Sequence, residues 1–396
     1  MTDPSDGAAG PGPARPASAR PASARPVTAS LRVLLVLGSS AGGVARHVAQ
    51  IASALGVPVP DGLGATVRVA GPAALAGDLA PAGSAVAFDA VPITDRPRAG
   101  DVGVVRRLRT LAAGADVVHA HGLRAGTLTV LAARTLPRTG RPRLVVTLHN
   151  LPVGGRRIRA VSAVLERVVA RGADVVLGVS GDLVDRARAL GAAATERALV
   201  PAPSRPRPVL DRTAVRHALG LADGVALVVT VGRLAPQKGL DTLLDAAVEL
   251  GAGDLPVLWV VAGDGPLEPE LAARIIALHA PVRLLGRRSD VPDLFAAADV
   301  VASTAVWEGQ PISVQEALQL GAPLVVTDAG GTREVTGDRG AVLVPVGDAA
   351  AIACAIAALL ADPVARGELA GRARERAAEL PDVTAVVGQL SRVYLG

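Results

Sequence analysis

From Leu31 onward, short β-rich apolar runs alternate with longer helical patterns, and the alternation runs twice, once on each side of a proline-dense break. The first series contains LRVLLVL, DVVHA, RLVVTL and DVVLGV. Between and after them lie GVARHVAQIASAL, a helix from about Arg124, RRIRAVSAVLERVVARGA and DLVDRARAL. Strands in regular alternation with helices imply a parallel sheet with crossover connections. The runs are apolar throughout, as expected when helices cover both faces. PAPSRPRP, Pro201 to Pro208, then places four prolines in eight residues, which neither a helix nor a central strand accepts. The second series reads ALVVTVG, a helix from Gly239, LPVLWVVAG, a helix from Leu267, VRLLG, DVVAST, ISVQEALQLG, PLVVT and AVLVPV. The expected fold is α/β, two doubly wound domains facing each other across a cleft. Ligands of such sheets bind beyond the carboxyl ends of the strands.

The length of 396 residues agrees with two domains, each able to bury its own core. The basic balance, a pI near 10.6 with a net charge of only +5, comes from arginines spread along the chain and does not imply nucleic acid. Five aromatic side chains, none interleaved with the arginines, leave no stacking platform for single strands. A lone cysteine, Cys354, excludes an internal disulfide and a multi-cysteine metal site, and its Ala/Ile/Leu surroundings predict a core position. No apolar window reaches membrane-spanning length, and the N-terminus lacks a secretory apolar region, so a cytoplasmic protein is expected. The first thirty residues, with Ala-Arg-Pro-Ala-Ser recurring, read as a disordered tail.

Two segments carry recognisable chemistry. Trp307-Glu308-Gly309-Gln310-Pro311 follows a strand and leads into a helix, with Pro311 suited to the first helical position. Glu308 then lies in the loop. Glu316 lies about one turn inside the helix, off the stripe of Val314, Ala317, Leu318 and Gly321 that faces the core. Such carboxylates can grip the hydroxyls of a sugar and a ribose; a capping acid and a solvated helix residue is the plain alternative. In Gly232-Arg233-Leu234-Ala235-Pro236-Gln237-Lys238-Gly239, two cations stand by a helix N-terminus, where the dipole and unpaired N–H groups favour a diphosphate. Lys238 is the single lysine of the 41 Lys and Arg residues, in a composition that otherwise selects arginine; Asn150 is likewise the sole asparagine.

Gly232-Arg233…Lys238-Gly239, Gly263-Asp264-Gly265-Pro266 and the Glu308-x7-Glu316 pair together resemble the family-four retaining glycosyltransferases, glycosyl transferases group 1, a GT-B family of Rossmann-like domains. Gly42-Gly43-Val44-Ala45-Arg46-His47, Asp116 to His121, Thr147-Leu148-His149-Asn150 and Gly330 to Glu334 keep the family's order. The resemblance implies a bacterial, cytoplasmic enzyme that moves a hexose-type sugar from a nucleotide diphosphate sugar to an acceptor, with retention. By it, Arg233, Lys238 and Gly263 belong to the donor site, Glu316 takes the ribose, and Glu308 contacts the transferred sugar. Gly42 and Gly43 approach the phosphates from the other domain, and His121 sits by the sugar ring. A tight turn at the glycines and a strand-capping role for His121 remain open. The implied organisation is a tail at 1–30, an acceptor-side domain at 31–203, a linker at 204–212, a donor-side domain at 213–380, and a helix at 381–396 that returns to the first domain.

No metal or cofactor is expected. His119, His121 and His149 have no nearby acidic ligand, the chain has no Asp-x-Asp, and Arg233 with Lys238 can serve as the leaving-group clamp. Departures from the family pattern are Ala202-Pro203-Ser204, after an expected strand end at Val200-Pro201, where relatives place Asn-Gly, and Gln310, where an aromatic or aliphatic residue is common. Gly286-Arg287-Arg288 is a base-contact loop or a set of exposed arginines. In the helix from Arg156 to Arg171, Arg156, Arg157, Arg159, Arg167 and Arg171 lie opposite Leu165, Val168 and Val169. That face suits a solvated surface or an anionic membrane, and the second would make a lipid-linked, cell-envelope acceptor natural. Competing readings are a nucleotide-dependent isomerase or phosphorylase, a nucleotide-sugar sensor, or an inactive protein of this fold. A dehydrogenase is excluded by Gly38-Ser39-Ser40-Ala41-Gly42-Gly43, whose spacing is not Gly-x-Gly-x-x-Gly.

Overall fold

The structure, a computed structural model, describes residues 30–39, 42–58, 62–151, 155–201, 207–253 and 255–396. The expected disordered tail, the Ala202-Pro203-Ser204 departure and the first part of the linker at 204–212 lie outside the described residues. Leu31–Gly396 form one compact unit that contains two parallel sheets.

The first sheet consists of β1 (Arg32–Leu37), β2 (Thr66–Gly71), β3 (Ala87–Ala90), β4 (Val117–His121), β5 (Arg143–Leu148), β6 (Val175–Gly178) and β7 (Thr195–Arg197), in the order β3-β2-β1-β4-β5-β6-β7. The second consists of β8 (Ala226–Val231), β9 (Val257–Ala262), β10 (Val282–Gly286), β11 (Val300–Ser303), β12 (Leu324–Thr327) and β13 (Val342–Val344), in the order β10-β9-β8-β11-β12-β13. Both therefore have the doubly wound arrangement, with the strand order reversing between β1 and β4 and again between β8 and β11. At such a reversal the following helices diverge to opposite faces, and the gap between them opens a crevice.

The central strands are buried on both faces: Val33, Leu34, Leu35, Val36 and Leu37 of β1 are at most 1% exposed. Each such side chain contributes about 1.5–3 kcal/mol by leaving water. The helix Gly43–Gly56 turns His47, Val48, Ile51, Ala52 and Leu55 onto this sheet, at the spacing of one helical face. β2, β3 and β7 lack the continuous apolar signature because they lie towards or at the sheet's edges, where exposed and buried positions mix. The expected strand end at Val200-Pro201 is accordingly corrected: the strand closes at Arg197, and Val200 is buried in irregular chain.

The core position predicted for Cys354 is also overturned. Its helix, Ala349–Ala361, buries Ile352, Ala353, Ile356 and Leu359, and Cys354 points to the opposite side and is exposed. An all-apolar helix gives no pattern from which to tell its two faces apart.

The C-terminal segment links the two halves. The helix Pro363–Ala378 packs on the helix Ile312–Leu320 of the second half. The chain then breaks at Pro381, and Asp382 caps a new helix, Val383–Leu395, by accepting from the Ala385 N–H at 2.8 Å. That helix places Val386, Leu390, Val393 and Tyr394 in the core of the first sheet. Gln389 accepts from the Leu199 N–H (2.8 Å) and donates to the Arg197 carbonyl (2.7 Å), and Arg143 donates to the Val393 carbonyl (2.5 Å).

Candidate active site

Contacts between the two halves fall beside the carboxyl end of β1 and in the segment that follows β11. In the first half, β1 leads to Gly42, whose φ of +78° favours glycine, and Gly43 opens the following helix. A Cβ on Gly43 would lie 2.9 Å from Ile312 Cδ1 at the start of the Ile312–Leu320 helix, so the missing side chain is what lets the two halves approach here. One turn on, Arg46 Nη1 lies 3.6 Å from Glu316 Oε1 across the gap.

The register of the first sheet pairs Leu37 with His121 and His121 with Thr147, which brings the carboxyl ends of β1, β4 and β5 level. Four histidines gather there. His121 Nδ1 is 3.2 Å from His149 Nε2, and its ring lies 4.2 Å from that of His119 and 5.8 Å from that of His47. His119 is held at both nitrogens, by Tyr394 Oη and by Thr147 Oγ1, each at 2.7 Å. His121 Nε2 and His47 Nδ1 are buried without a hydrogen-bond partner.

Burial makes the imidazolium form costly in this cluster. It lowers His47 to about 4 and, with the neighbouring His47, His119 to about 3; burial and the surrounding rings hold His121 and His149 well below the ordinary value. The cluster is therefore neutral at neutral pH, and each ring can donate from one nitrogen and accept at the other. Among the described residues, no group of three or more His, Cys, Asp or Glu side chains has the arrangement to hold a metal ion.

In the second half, β8 runs through Gly232 and Arg233 to a 3₁₀ turn, Pro236–Lys238, and Gly239 then opens the helix Leu240–Gly251, which has no side-chain cap. Lys238 donates to Glu308 in a partly buried ion pair. The backbone fixes both partners, since Thr304 Oγ1 donates to the Lys238 carbonyl (2.9 Å), Val306 N–H to the Gln237 carbonyl (2.9 Å), and Gly331 N–H to the Glu308 carbonyl (2.8 Å). Gly263 packs against the same loop: a Cβ there would fall 1.9 Å from the Gly232 carbonyl oxygen. Arg233 is exposed and has no ion pair or hydrogen bond within the described residues.

Glu316 lies in the second turn of its helix, and Val314, Ala317 and Leu318 face the core as expected. Burial raises its pKa and Arg46 opposes that rise. Two expectations change. Pro311 is the N-cap, one position before the helix, because its ψ of 105° is extended. Glu316 also has a cation opposite it, Arg46, which sequence reading left inside a glycine motif. Arg288 is paired with Asp290 (2.5 Å) and Arg287 is exposed, the plainer of the two readings of that loop.

Further contacts close the two halves on each other. A Cβ on Gly309 would lie 3.0 Å from the His149 carbonyl oxygen, which sets the Glu308 loop against the histidine cluster. Trp307 Nε1 donates to Asp182 Oδ2 (2.7 Å). Glu334 accepts from the Gly181 N–H (2.7 Å) and pairs with Arg197 (2.5 Å). None of Asp182, Arg197 or Tyr394 belongs to a motif near its partner in sequence, so no spacing announces them. His47 alone had a signal, four residues beyond Gly43 on the buried helix face.

Comparisons with known proteins agree with this architecture. A model described as a glycosyl transferase 4-like domain matches residues 42–203, and one described as glycosyl transferases group 1 matches residues 226–362. The chain is 32% identical over 289 residues to D-inositol 3-phosphate glycosyltransferase of Xylanimonas cellulosilytica, covering 65% of this chain and 67% of that protein. It is 32% identical over 192 residues to alpha-D-kanosaminyltransferase of Streptomyces kanamyceticus, covering 46% of this chain and 48% of that protein. The match spans about half the length of several of the curated relatives, 58% for UDP-Gal:alpha-D-GlcNAc-diphosphoundecaprenol alpha-1,3-galactosyltransferase of Escherichia coli. Among solved structures, Anabaena HepE in complex with UDP superposes with a TM-score of 0.74 at 23% identity, covering 91% of this chain and 99% of that one, a likeness of fold.

Proposed function

The chain belongs to the glycosyl transferases group 1 family and has its GT-B fold, and from that premise we propose that it transfers a hexose-type sugar from a nucleotide diphosphate sugar to an acceptor, with retention and without a metal ion. The observation that carries the reading is that two segments of the second half approach the first: Glu316, in the helix after β11, faces Arg46 beside Gly43, and the loop of Glu308, which pairs with Lys238, lies against the His149 carbonyl of the histidine cluster.

In this reading Arg233 and Lys238 neutralise the departing diphosphate, as a divalent ion does elsewhere. The uncapped start of the helix Leu240–Gly251 adds its dipole. Glu316 accepts from the ribose hydroxyls, and Glu308 orients Lys238 and contacts the transferred sugar. Gly42 and Gly43 keep side chains out of the space for the phosphates, and Gly263, closed against the Gly232 carbonyl, lets the Arg233–Lys238 loop take its place. Neutral His121 presents Nε2 to a sugar hydroxyl. The chain supplies no separate nucleophile; rate comes from holding donor and acceptor in line, with the leaving phosphate oxygen taking the acceptor proton.

The acceptor side faces a surface. On the helix Arg156–Gly172, Arg156, Arg157 and Arg167 are exposed beside Ile158 (53%), Val161 (46%) and Val164 (64%), an apolar row that the sequence pattern did not single out. Such a face suits peripheral contact with an anionic membrane. No single helix among the described residues is long and apolar enough to cross one. The E. coli relative named above uses a lipid-linked acceptor by its name, and a lipid-linked cell-envelope acceptor met at the inner face of the plasma membrane fits this surface.

Calorimetric binding of UDP, GDP and ADP, with chelator present, to wild type, Glu316→Ala and Lys238→Ala tests the donor site. Selective binding by wild type that weakens in both variants supports the reading and identifies the nucleobase. Failure to bind any of the three overturns it.

A further inference from the structure

The single tyrosine of the chain, Tyr394, is 4% exposed and is the second-last residue of the last helix. Among the described residues its hydroxyl has one hydrogen-bond partner, His119 Nδ1 at 2.7 Å. Burial raises its pKa far above the ordinary tyrosine value, so it stays protonated and can donate. A donated Tyr394 proton makes Nδ1 of His119 the acceptor and Nε2–H the donor, and Thr147 Oγ1 stands 2.7 Å from Nε2 to receive it. With the two hydroxyls in the opposite roles the other tautomer is held equally well, so the ring is fixed in position from both ends.

His119 and His121 share one face of β4, two residues apart, and their rings lie 4.2 Å apart with a 33° tilt. The ring of His121 thus packs directly against that of His119, which limits its rotation. Its other restraint is the bond to His149, while its Nε2, buried and unpartnered, is the atom left to meet a ligand. Tyr394 joins this wall only after the chain has completed the second half, crossed at Pro381 and returned to the first sheet.

We propose that Tyr394 and His119 are positioning residues for His121, so that the C-terminal helix sets the orientation of the histidine that faces the transferred sugar. The proposal rests on the role given to His121 above. It requires that loss of one oxygen from Tyr394, more than 200 residues away in sequence, act on His121 and on the chemical step while leaving nucleotide binding in the second half intact.

The test uses the full chain with ¹⁵N-labelled histidine. Imidazole nitrogen signals are recorded for wild type, Tyr394→Phe and Thr147→Val, with melting temperatures and UDP, GDP and ADP affinities alongside. Expected is a displacement of the His121 nitrogens together with those of His119 in both variants, with the wild-type nucleotide affinity retained. With the nucleotide sugar that wild type turns over, kcat falls about tenfold at nearly constant donor KM. A response confined to His119, or an unchanged kcat in the active enzyme, overturns the proposal. If wild type turns over no nucleotide sugar, the functional reading fails by itself, and the His121 signals still decide whether the helix controls that ring.

Discussion

Arg46 of the first half lies 3.6 Å from Glu316 of the second, and this pair spans the gap at the point where Gly43 lets the two halves approach. Each residue changes the other's chemistry. Burial disfavours the Glu316 carboxylate and raises its pKa; Arg46 restrains that rise.

If the Glu316 carboxylate accepts from ribose hydroxyls, nucleotide affinity falls with its protonation as pH drops through a value above 4.5. Arg46→Ala removes the restraint, so the acid limb moves to higher pH. Glu316→Gln removes that limb and is weak throughout. Calorimetry between pH 5 and 8 with the nucleotide that binds best checks all three; an acid limb unmoved by Arg46→Ala contradicts the coupling.

Lys238 is paired with Glu308, and in the proposed site the same ammonium also holds the diphosphate. Glu308→Gln frees the ammonium, so nucleotide diphosphate binding is expected to hold or tighten while kcat falls by about 10² or more, since loss of one electrostatic contact in a dry site has that order of effect. A parallel fall in nucleotide affinity places Glu308 in binding alone. Titration calorimetry with steady-state rates separates the two.

Gly43→Val places a branched side chain where 2.9 Å separates a Cβ from Ile312. The halves are then held apart, and turnover drops at least tenfold with a small change in melting temperature. Ile312→Ala in the same chain restores part of the loss, and the double-mutant cycle gives a coupling of about 1 kcal/mol or more. Additive effects mean that the contact does not control closure.

Acid is expected to destabilise the fold through the histidine cluster. Burial lowers His47 to about 4 from the ordinary 6.5, and His119 to about 3. The unfolded chain takes up protons first as pH falls below 6.5, so stability is full above that value and declines until the folded rings protonate near 4 and 3. For His47 the loss reaches roughly 3 kcal/mol at pH 4. Chemical unfolding at pH 7.5, 6 and 5 is expected to show a steady decline, and His47→Gln a shallower one; equal slopes would remove His47 from the account.

Much of the fold was legible. Eight of the ten apolar runs give inner strands, β1, β4, β5, β6, β8, β9, β11 and β12, and these carry their own signal because a strand covered on both faces has no solvent side to interrupt it; β10 and β13 are edge strands that stay apolar. β2, β3 and β7 were silent for the converse reason, as half-exposed strands that mix Arg, Asp and Glu with apolar residues. At the site, the glycines, Lys238, Glu308 and Glu316 stood out because tight loops and buried charge restrict the residue types allowed, even in a composition that favours arginine elsewhere.

The sequence by itself determined two doubly wound halves, their order, and the strand ends at which polar residues gather, since these follow from periodicity and local backbone chemistry. Only the tertiary structure decided the partners: Arg46 with Glu316, Trp307 with Asp182, Glu334 with Gly181 and Arg197, and Tyr394 with His119. Each of these pairs joins residues at least 125 positions apart. Side chains meet at such separations through the packing of whole sheets and helices, and no local pattern along one chain records that.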